Sequence, residues 1–319
     1  MLHFRFLPRL ATLCSAVLLA ACGGSGGGPG APGGAPTTTP PTTLSLSVAA
    51  LALKTSGIAR TVTVTNTGGA PAVSVIYSLT PTTDTTAISS CSTLAPGASC
   101  QITITPGATA SAAAGDLTPV PINLNVGGIN TNVASASVHV LELGSVYQSG
   151  YVFDFNDGTP NTGSVGGKAV ALADIATSPL PWSTTSNLVN ALSLTDGAAN
   201  TQTIVINYDA LSVPRGDYAA GACVALNAGG YTDWYLPAIC EMNTAAPGCT
   251  PGQPDVQSLV DNSGALPPTP LQQHWSSTED PGTPVTEALL HQFALLGGSS
   301  SDLAKGVAIQ ARCVRALVL

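Results

Sequence analysis

Residues 229–240 read GGYTDWYLPAIC. Three of the five residues from Tyr231 to Tyr235 are aromatic, in a chain whose aromatic content is 5%. So scarce a residue type gathered in one stretch marks either a buried junction of the fold or a ligand platform, because both need large flat side chains. The flanks favour the junction. Gly229 and Gly230 accept a left-handed backbone without strain, so they can end a helix that Asp217 caps and that runs through YAAGACVALNA. Tyr231 to Leu236 then reads as a strand entering the core, with Trp234 and Leu236 on one face and Tyr235 on the other. Pro237 suits the first position of a further helix, where its missing amide costs little. Asp233 suits the backbone amides of that junction.

Working outward, twelve of the fifteen aromatic residues and four of the eight cysteines lie beyond Gly144. This region opens with SVYQSGYVFDFNDG, a strand ending in a turn, and Gly166-Gly167-Lys168 leads into the short buried strand AVALAD. GGYTDWYLP, the later HWSSTED and the final ARCVRAL, together with that opening, resemble the domain family typified by the C-terminal domain of the Legionella collagen-like adhesin. The resemblance covers residues 144–319. It implies an α+β fold similar to C-type lectin-like domains, a place on the bacterial surface, no enzymatic activity and, in the best-known case, trimeric binding of sulfated polysaccharides. The pattern also predicts a strand in VTEALLHQFALLGG, where intrinsic propensity alone favours a helix over 285–296. That strand ends at Gly297-Gly298 with Phe293 facing the core, and the next runs from Val307 to Val314.

The charge departs from the best-known relative. From Gly144 onward, Lys168, Arg215, Lys305, Arg312 and Arg315 face fourteen carboxylates, a balance of minus nine. A polyanion meets a repulsive mean field there. Lys305, Arg312 and Arg315 remain candidates for holding one anionic group, and Asp233 is a further candidate ligand contact. Trp234, Trp275 and the hydroxyls of Ser276, Ser277 and Thr278 suit core and turn positions.

The address lies at the other end. Arg5 and Arg9 precede the apolar run ATLCSAVLLA, the layout of a secretory signal over residues 1–21. Leu19-Ala20-Ala21-Cys22 resembles a bacterial lipobox, which implies acylation of Cys22; Gly23 and Gly24 after the cysteine imply the outer membrane, on its periplasmic side or at the cell surface. Several acyl chains, at roughly 0.8 kcal/mol per buried methylene, would anchor the chain permanently. Residues 22–43 form a tether, floppy where glycine dominates and extended where proline and threonine do. Within it GGSGG matches a serine-hydrolase elbow only formally, since no strand precedes it and no helix follows.

Residues 44–143 read as an all-β, immunoglobulin-like sandwich. TVTVT alternates with period two, Asn66-Thr67-Gly68-Gly69 breaks it, and AVSVIYSL, QITIT, PINLNV and ASASVHVLEL recur between turn signals. The N-T-G turn followed by SC, LAPGASC and ITITP resembles bacterial Ig-like modules of the abnormal-spindle and hydin type. Tyr77 is its one aromatic residue, so it reads as a spacer.

An exported chain favours disulfides. Cys91 and Cys100 enclose a Pro96-Gly97 turn. Four later cysteines allow three pairings; Cys240 with Cys249 closes the loop EMNTAAPG, leaving Cys223 for Cys313. No close C-x-x-C pair supports zinc. Asp154, Asn156 and Asp157 miss the EF-type spacing by a residue, so an Asx turn is the simpler reading than calcium, and no cofactor is expected. HWSSTED places His274 near hydroxyls and Glu279, but strand neighbours point to opposite faces, which is not a triad. With 8% charged residues and a net charge of minus eight, no basic stripe is available for nucleic acid. Two readings follow: a non-enzymatic surface module binding a glycan or a protein, or an envelope structural protein that assembles with itself or with a secretion component and binds no glycan. Aromatics on one concave face would mark the first, a flat apolar patch the second.

Overall fold

The computed structural model describes residues 39–175, 178–263 and 272–318. Cys22, the expected signal segment over residues 1–21 and most of the expected tether over 22–43 lie outside them. No helix among the described residues is long and apolar enough to cross a membrane. The protein is β-rich.

The first eight strands are β1 (Leu44–Leu46), β2 (Ala50–Lys54), β3 (Arg60–Asn66), β4 (Ile76–Thr80), β5 (Thr86–Ser89), β6 (Ser99–Thr105), β7 (Ile122–Gly127) and β8 (Ala134–Leu141). They form two four-stranded sheets, ordered β1-β3-β6-β5 and β2-β8-β7-β4. All neighbours are antiparallel except β2 and β8, which run parallel. Period-two alternation turns Val62, Val64, Ile102 and Ile104 of one sheet toward Leu51, Leu53, Leu124, Val126, Val138 and Val140 of the other, and all ten are fully buried. Each such side chain stabilises by about 1.5–3 kcal/mol relative to an exposed one. The two sheets therefore share one core and make a sandwich. Its β1, β2 and β5 carry little strand signal of their own: LSL, ALALK and TAIS are short or alanine-bearing, and pairing with longer neighbours recruits them.

The remaining elements are β9 (Val146–Tyr147), β10 (Gly150–Asn156), β11 (Gly166–Ala171), β12 (Leu180–Pro181), α1 (Gly197–Ala210), α2 (Ala219–Ala225), α3 (Ile239–Met242), α4 (Gln257–Asn262), β13 (Gln273–Glu279), β14 (Glu287–Gln292), β15 (Ser299–Ala304), β16 (Ala308–Ile309) and β17 (Val314–Ala316). They build the sheets β17-β11-β10-β9, β13-β14-β15 and β12-β16. Trp182, Trp234 and Trp275 share one core with Ile204 and Tyr208 of α1 and Leu290 of β14. Each indole N–H donates to a carbonyl, Trp182 to Ser276 at 2.8 Å, Trp234 to Tyr231 at 3.1 Å and Trp275 to Leu180 at 3.0 Å. Burial of the rings therefore leaves no indole donor unpaired.

Several local expectations change. The helix near Asp217 spans only Ala219–Ala225; Asp217 belongs to a preceding 3-10 turn, and Tyr218 occupies the cap position without a side-chain bond. Gly229 and Gly230 close a tight turn instead of ending that helix, with φ of +60° and +85° and reciprocal bonds between Ala228 and Tyr231. Tyr231 to Leu236 is extended but makes only single bridges, Tyr231 with Ala228 and Tyr235 with Val314. Pro237 stands before the cap residue Ala238, whose N–H is taken by Glu241 at 2.9 Å. Helix α1 has no helix signal in the sequence, because TQTIVINYDA is rich in β-branched residues. Asp196 caps it by accepting from the Ala199 N–H at 2.9 Å, and the buried Ile204, Val205 and Tyr208 hold it down.

Residues 287–292 do form a strand. As the centre of β13-β14-β15, β14 has both edges paired, which outweighs the helix preference of Glu, Ala and Leu. Its partner is Ser299–Ala304, however, and the stretch expected as one strand over 307–314 is divided between β16 and β17. All three expected disulfides are present: Cys91–Cys100, Cys223–Cys313 and Cys240–Cys249.

A packed junction joins the sandwich to the C-terminal part. Fully buried Arg60 of β3 donates to Thr159 O, Pro160 O and the Asp157 carboxylate, the last at 2.7 Å. Ala52 and Leu141 of the sandwich share a small core with Val152, Val165, Ala169 and Leu317.

Candidate functional site

The Gly229–Gly230 turn sets the first wall of a cleft at this junction. A Cβ added at Gly229 would meet Ser149 Oγ at 1.8 Å, so glycine is required both for its φ and for the close approach. Ser149 belongs to a second tight turn, Gln148-Ser149, whose φ values of +48° and +67° join β9 to β10. The two turns abut, bringing Tyr147 and Tyr231 to one hollow of about 500 Å³. Gln148, Pro160, Thr162 and Val48 complete much of its wall.

Both tyrosines are half-buried and braced from behind. The Arg315 guanidinium lies 3.9 Å from the Tyr231 ring centroid and 5.8 Å from that of Trp234. Asp233 grips it with both carboxylate oxygens, at 2.7 and 3.0 Å, and Gln148 Oε1 accepts a third bond at 2.8 Å. Arg315 is fully buried, so the stacking operates at reduced screening, where such a contact is worth up to about 2 kcal/mol. Tyr147 packs on His139 at 5.1 Å between centroids. Burial raises the Tyr147 phenol and lowers the His139 imidazole, keeping both neutral near pH 7. The cleft thus offers two aromatic rings with amide and hydroxyl groups around them. That chemistry fits C–H faces and hydroxyls, and lacks an exposed cation for a sulfate.

The residues singled out in the sequence take different places. Asp233 and Arg315 come together, as the brace behind Tyr231. Lys305 is 1% exposed and donates to Glu279 at 2.5 Å, to Asn187 O and to Pro284 O, beneath the Trp182 ring at 4.5 Å; burial lowers its ammonium. Arg312 pairs with Asp174 at 2.7 Å, and His274 meets the same carboxylate oxygen at 3.0 Å. Lys305, Arg312 and Arg315 are therefore held by three different carboxylates instead of forming one anion cluster. Burying a cation requires such a partner, and each is already spent on the fold.

In HWSSTED, Ser276 and Thr278 donate to the carbonyls of Leu289 and Ser193, while Glu279 accepts from the Val189 and Ala191 N–H groups. Asp157 is used by Arg60 and by the Ile58 N–H, and Asn156 accepts from Gly158 N–H in an Asx turn. Among the described residues no group of three His, Cys, Asp or Glu is placed to hold a metal ion. Trp234 is 2% exposed and Trp275 fully buried, so both are core residues. Tyr147, Gln148 and Tyr231 were not singled out as ligand contacts; the signal available was the aromatic pair S-V-Y-Q-S-G-Y and the unexplained first aromatic of GGYTDWY.

No protein-family model and no curated protein matches the chain. Among solved structures, the secreted serine protease VesC from Vibrio cholerae aligns at a TM-score of 0.24 and 12% identity, over 83% of this chain and 44% of that one. The chain therefore spans less than half the length of that structure, and overlap at this level bears on neither fold nor chemistry.

Proposed function

We propose that this chain is a non-enzymatic, outer-membrane lipoprotein that displays a recognition module and binds a neutral glycan in the Tyr147–Tyr231 cleft. In this reading Cys22 carries the anchor, residues 22–43 are the leash, residues 44–143 are an immunoglobulin-like spacer and residues 144–319 are a lectin-like domain of the Legionella collagen-like adhesin type. The observation that carries it is the pair of half-buried tyrosines on one concave wall, one of them braced by buried Arg315 and its exposed partner Asp233. A neutral ligand agrees with the balance of minus nine beyond Gly144. The test is a glycan array probed with the full mature chain, with and without calcium. Tyr147→Ala and Tyr231→Ala should each lower binding of the hits by about 1–3 kcal/mol at unchanged fold. Hits indifferent to both substitutions would refute the site.

A second reading draws on a different observation. Ile76 on edge strand β4, Ile129 and Val133 are 71%, 77% and 67% exposed around one shallow, uncharged surface. Such a patch on an unpaired edge favours self-assembly. Ile76→Lys should then lower the mass measured by light scattering; a monomeric native chain would rule this reading out.

A further inference from the structure

A second hollow, of about 220 Å³, shares no lining residue with the tyrosine cleft. At about 30 Å³ per water it has the volume of roughly seven waters, enough for one sugar-sized molecule and too little for a chain. Asp154 and Lys168, a cross-strand pair of β10 and β11, line it with Glu241, Thr195, Thr250 and Gln253. Glu241 is saturated. Its Oε1 accepts from Lys168 Nζ at 2.6 Å and from the Tyr235 hydroxyl at 2.9 Å, and its Oε2 from the Gly197 and Ala238 N–H groups at 3.1 and 2.9 Å. Asp154 has much less: the Phe155 N–H and the field of Lys168 are all that offset its burial, and its carboxyl is held above the usual range as a result. Two carboxylates thus face one ammonium, leaving the hollow one positive charge short. Lys54 stands over the Phe155 ring at 5.9 Å and does not line this hollow.

The other lining groups are matched to hydroxyls. The side chains of Thr195, Thr250 and Gln253 make no hydrogen bond among the described residues, and each can donate and accept. The wall that carries Thr250 and Gln253 is preformed: the Cys240–Cys249 bridge closes it, and Thr244 N–H and Oγ1–H both donate to Asp255, at 2.7 and 2.8 Å. A wall already ordered loses little entropy on binding.

We propose that this hollow binds a single hydroxylated amine of monosaccharide size, an amino sugar with a free ammonium group. The ammonium meets Asp154, and the ring hydroxyls meet Thr195, Thr250, Gln253 and the remaining donors of Lys168. The inference stands independently of the tyrosine cleft. Titration calorimetry of the full mature chain at neutral pH with glucosamine, N-acetylglucosamine and glucose tests it. Glucosamine should bind about tenfold or more tighter than its acetylated form, the share of one charge-assisted hydrogen bond. Asp154→Asn should erase that preference, and Gln253→Ala should weaken glucosamine and glucose alike. Equal affinity for free and acetylated amine, no heat from glucosamine, or a preference that survives in folded Asp154→Asn would each overturn the proposal. Should Asp154→Asn fail to fold, the comparison of free and acetylated amine on the native chain decides by itself. Tyr147→Ala and Tyr231→Ala should leave glucosamine binding unchanged, so failure of one site is separable from failure of the other.

Discussion

Replacing Trp234 with alanine empties a site that is 2% exposed and packed among Trp182, Leu236 and Trp275. Deleting a buried tryptophan costs roughly 3–5 kcal/mol, the lost transfer energy plus the cavity left behind. The polar terms add little. Tyr231 O loses the indole N–H but keeps the Ala228 N–H at 3.2 Å, so no acceptor is orphaned. Arg315 loses the ring at 5.8 Å and keeps Tyr231 at 3.9 Å with its Asp233 partner. The expected loss is therefore about 4 kcal/mol, against a total stability of about 5–15 kcal/mol for a domain. Equilibrium urea unfolding with the disulfides intact measures it, and the fluorescence of Trp182 and Trp275, both fully buried, supplies the signal. The fraction that remains folded should keep whatever affinity the native chain shows for the proposed glycan, because Trp234 does not line the tyrosine cleft. A loss below about 1 kcal/mol, or binding abolished at unchanged stability, would refute the assignment of Trp234 to the core.

Lys305→Met should cost about 3–5 kcal/mol in the same assay by stranding the buried Glu279 charge, and adding Glu279→Gln should regain part of it by removing that charge, only part because the amide keeps one acceptor oxygen where the Val189 and Ala191 N–H groups use two. Burial lowers the His291 pKa to about 4 from 6.5. The unfolded chain therefore takes up a proton first as pH falls, so stability should decline between about pH 6.5 and 4 and level off below, by roughly 3 kcal/mol. A His291→Gln variant whose urea midpoint shows the same slope would contradict this. Opening Cys223–Cys313, which spans 90 residues, should remove about 4–5 kcal/mol by the loop-entropy relation, measured as the difference between Cys223→Ala/Cys313→Ala and the native chain. Cys22→Ser should abolish metabolic palmitate labelling; undiminished labelling would end the lipoprotein proposal.

The local elements that sequence resolved are those whose cause is local. Period-two runs such as QITIT and PINLNV form strands, Pro96-Gly97 turns, and cysteines nine apart close short loops. Where the controlling contact is distant, residue patterns pointed elsewhere. TQTIVINYDA, rich in β-branched residues, carries no helix signal of its own and is part of helix α1, because its buried face packs on the tryptophan core. EALLHQ looks helical and is the central strand of its sheet; here the resemblance, which encodes tertiary context, predicted the strand that propensity did not.

The candidate site divides in the same way. Sequence by itself established that GGYTDWYLP is a junction, that Trp234 and Leu236 share one face while Tyr235 takes the other, and that Gly230 needs a positive φ. Those properties follow from side-chain alternation and from the missing Cβ, both of which act within a few residues. Only the tertiary structure decided which aromatic reaches the cleft. Tyr231 is held by Arg315, which is gripped by Asp233 at a separation of 82 residues and by Gln148 at 167. It likewise decided that Lys305, Arg312 and Arg315 serve three separate carboxylates. A buried charge must find its partner wherever the packed chain brings one, and that choice is made by the whole fold at once.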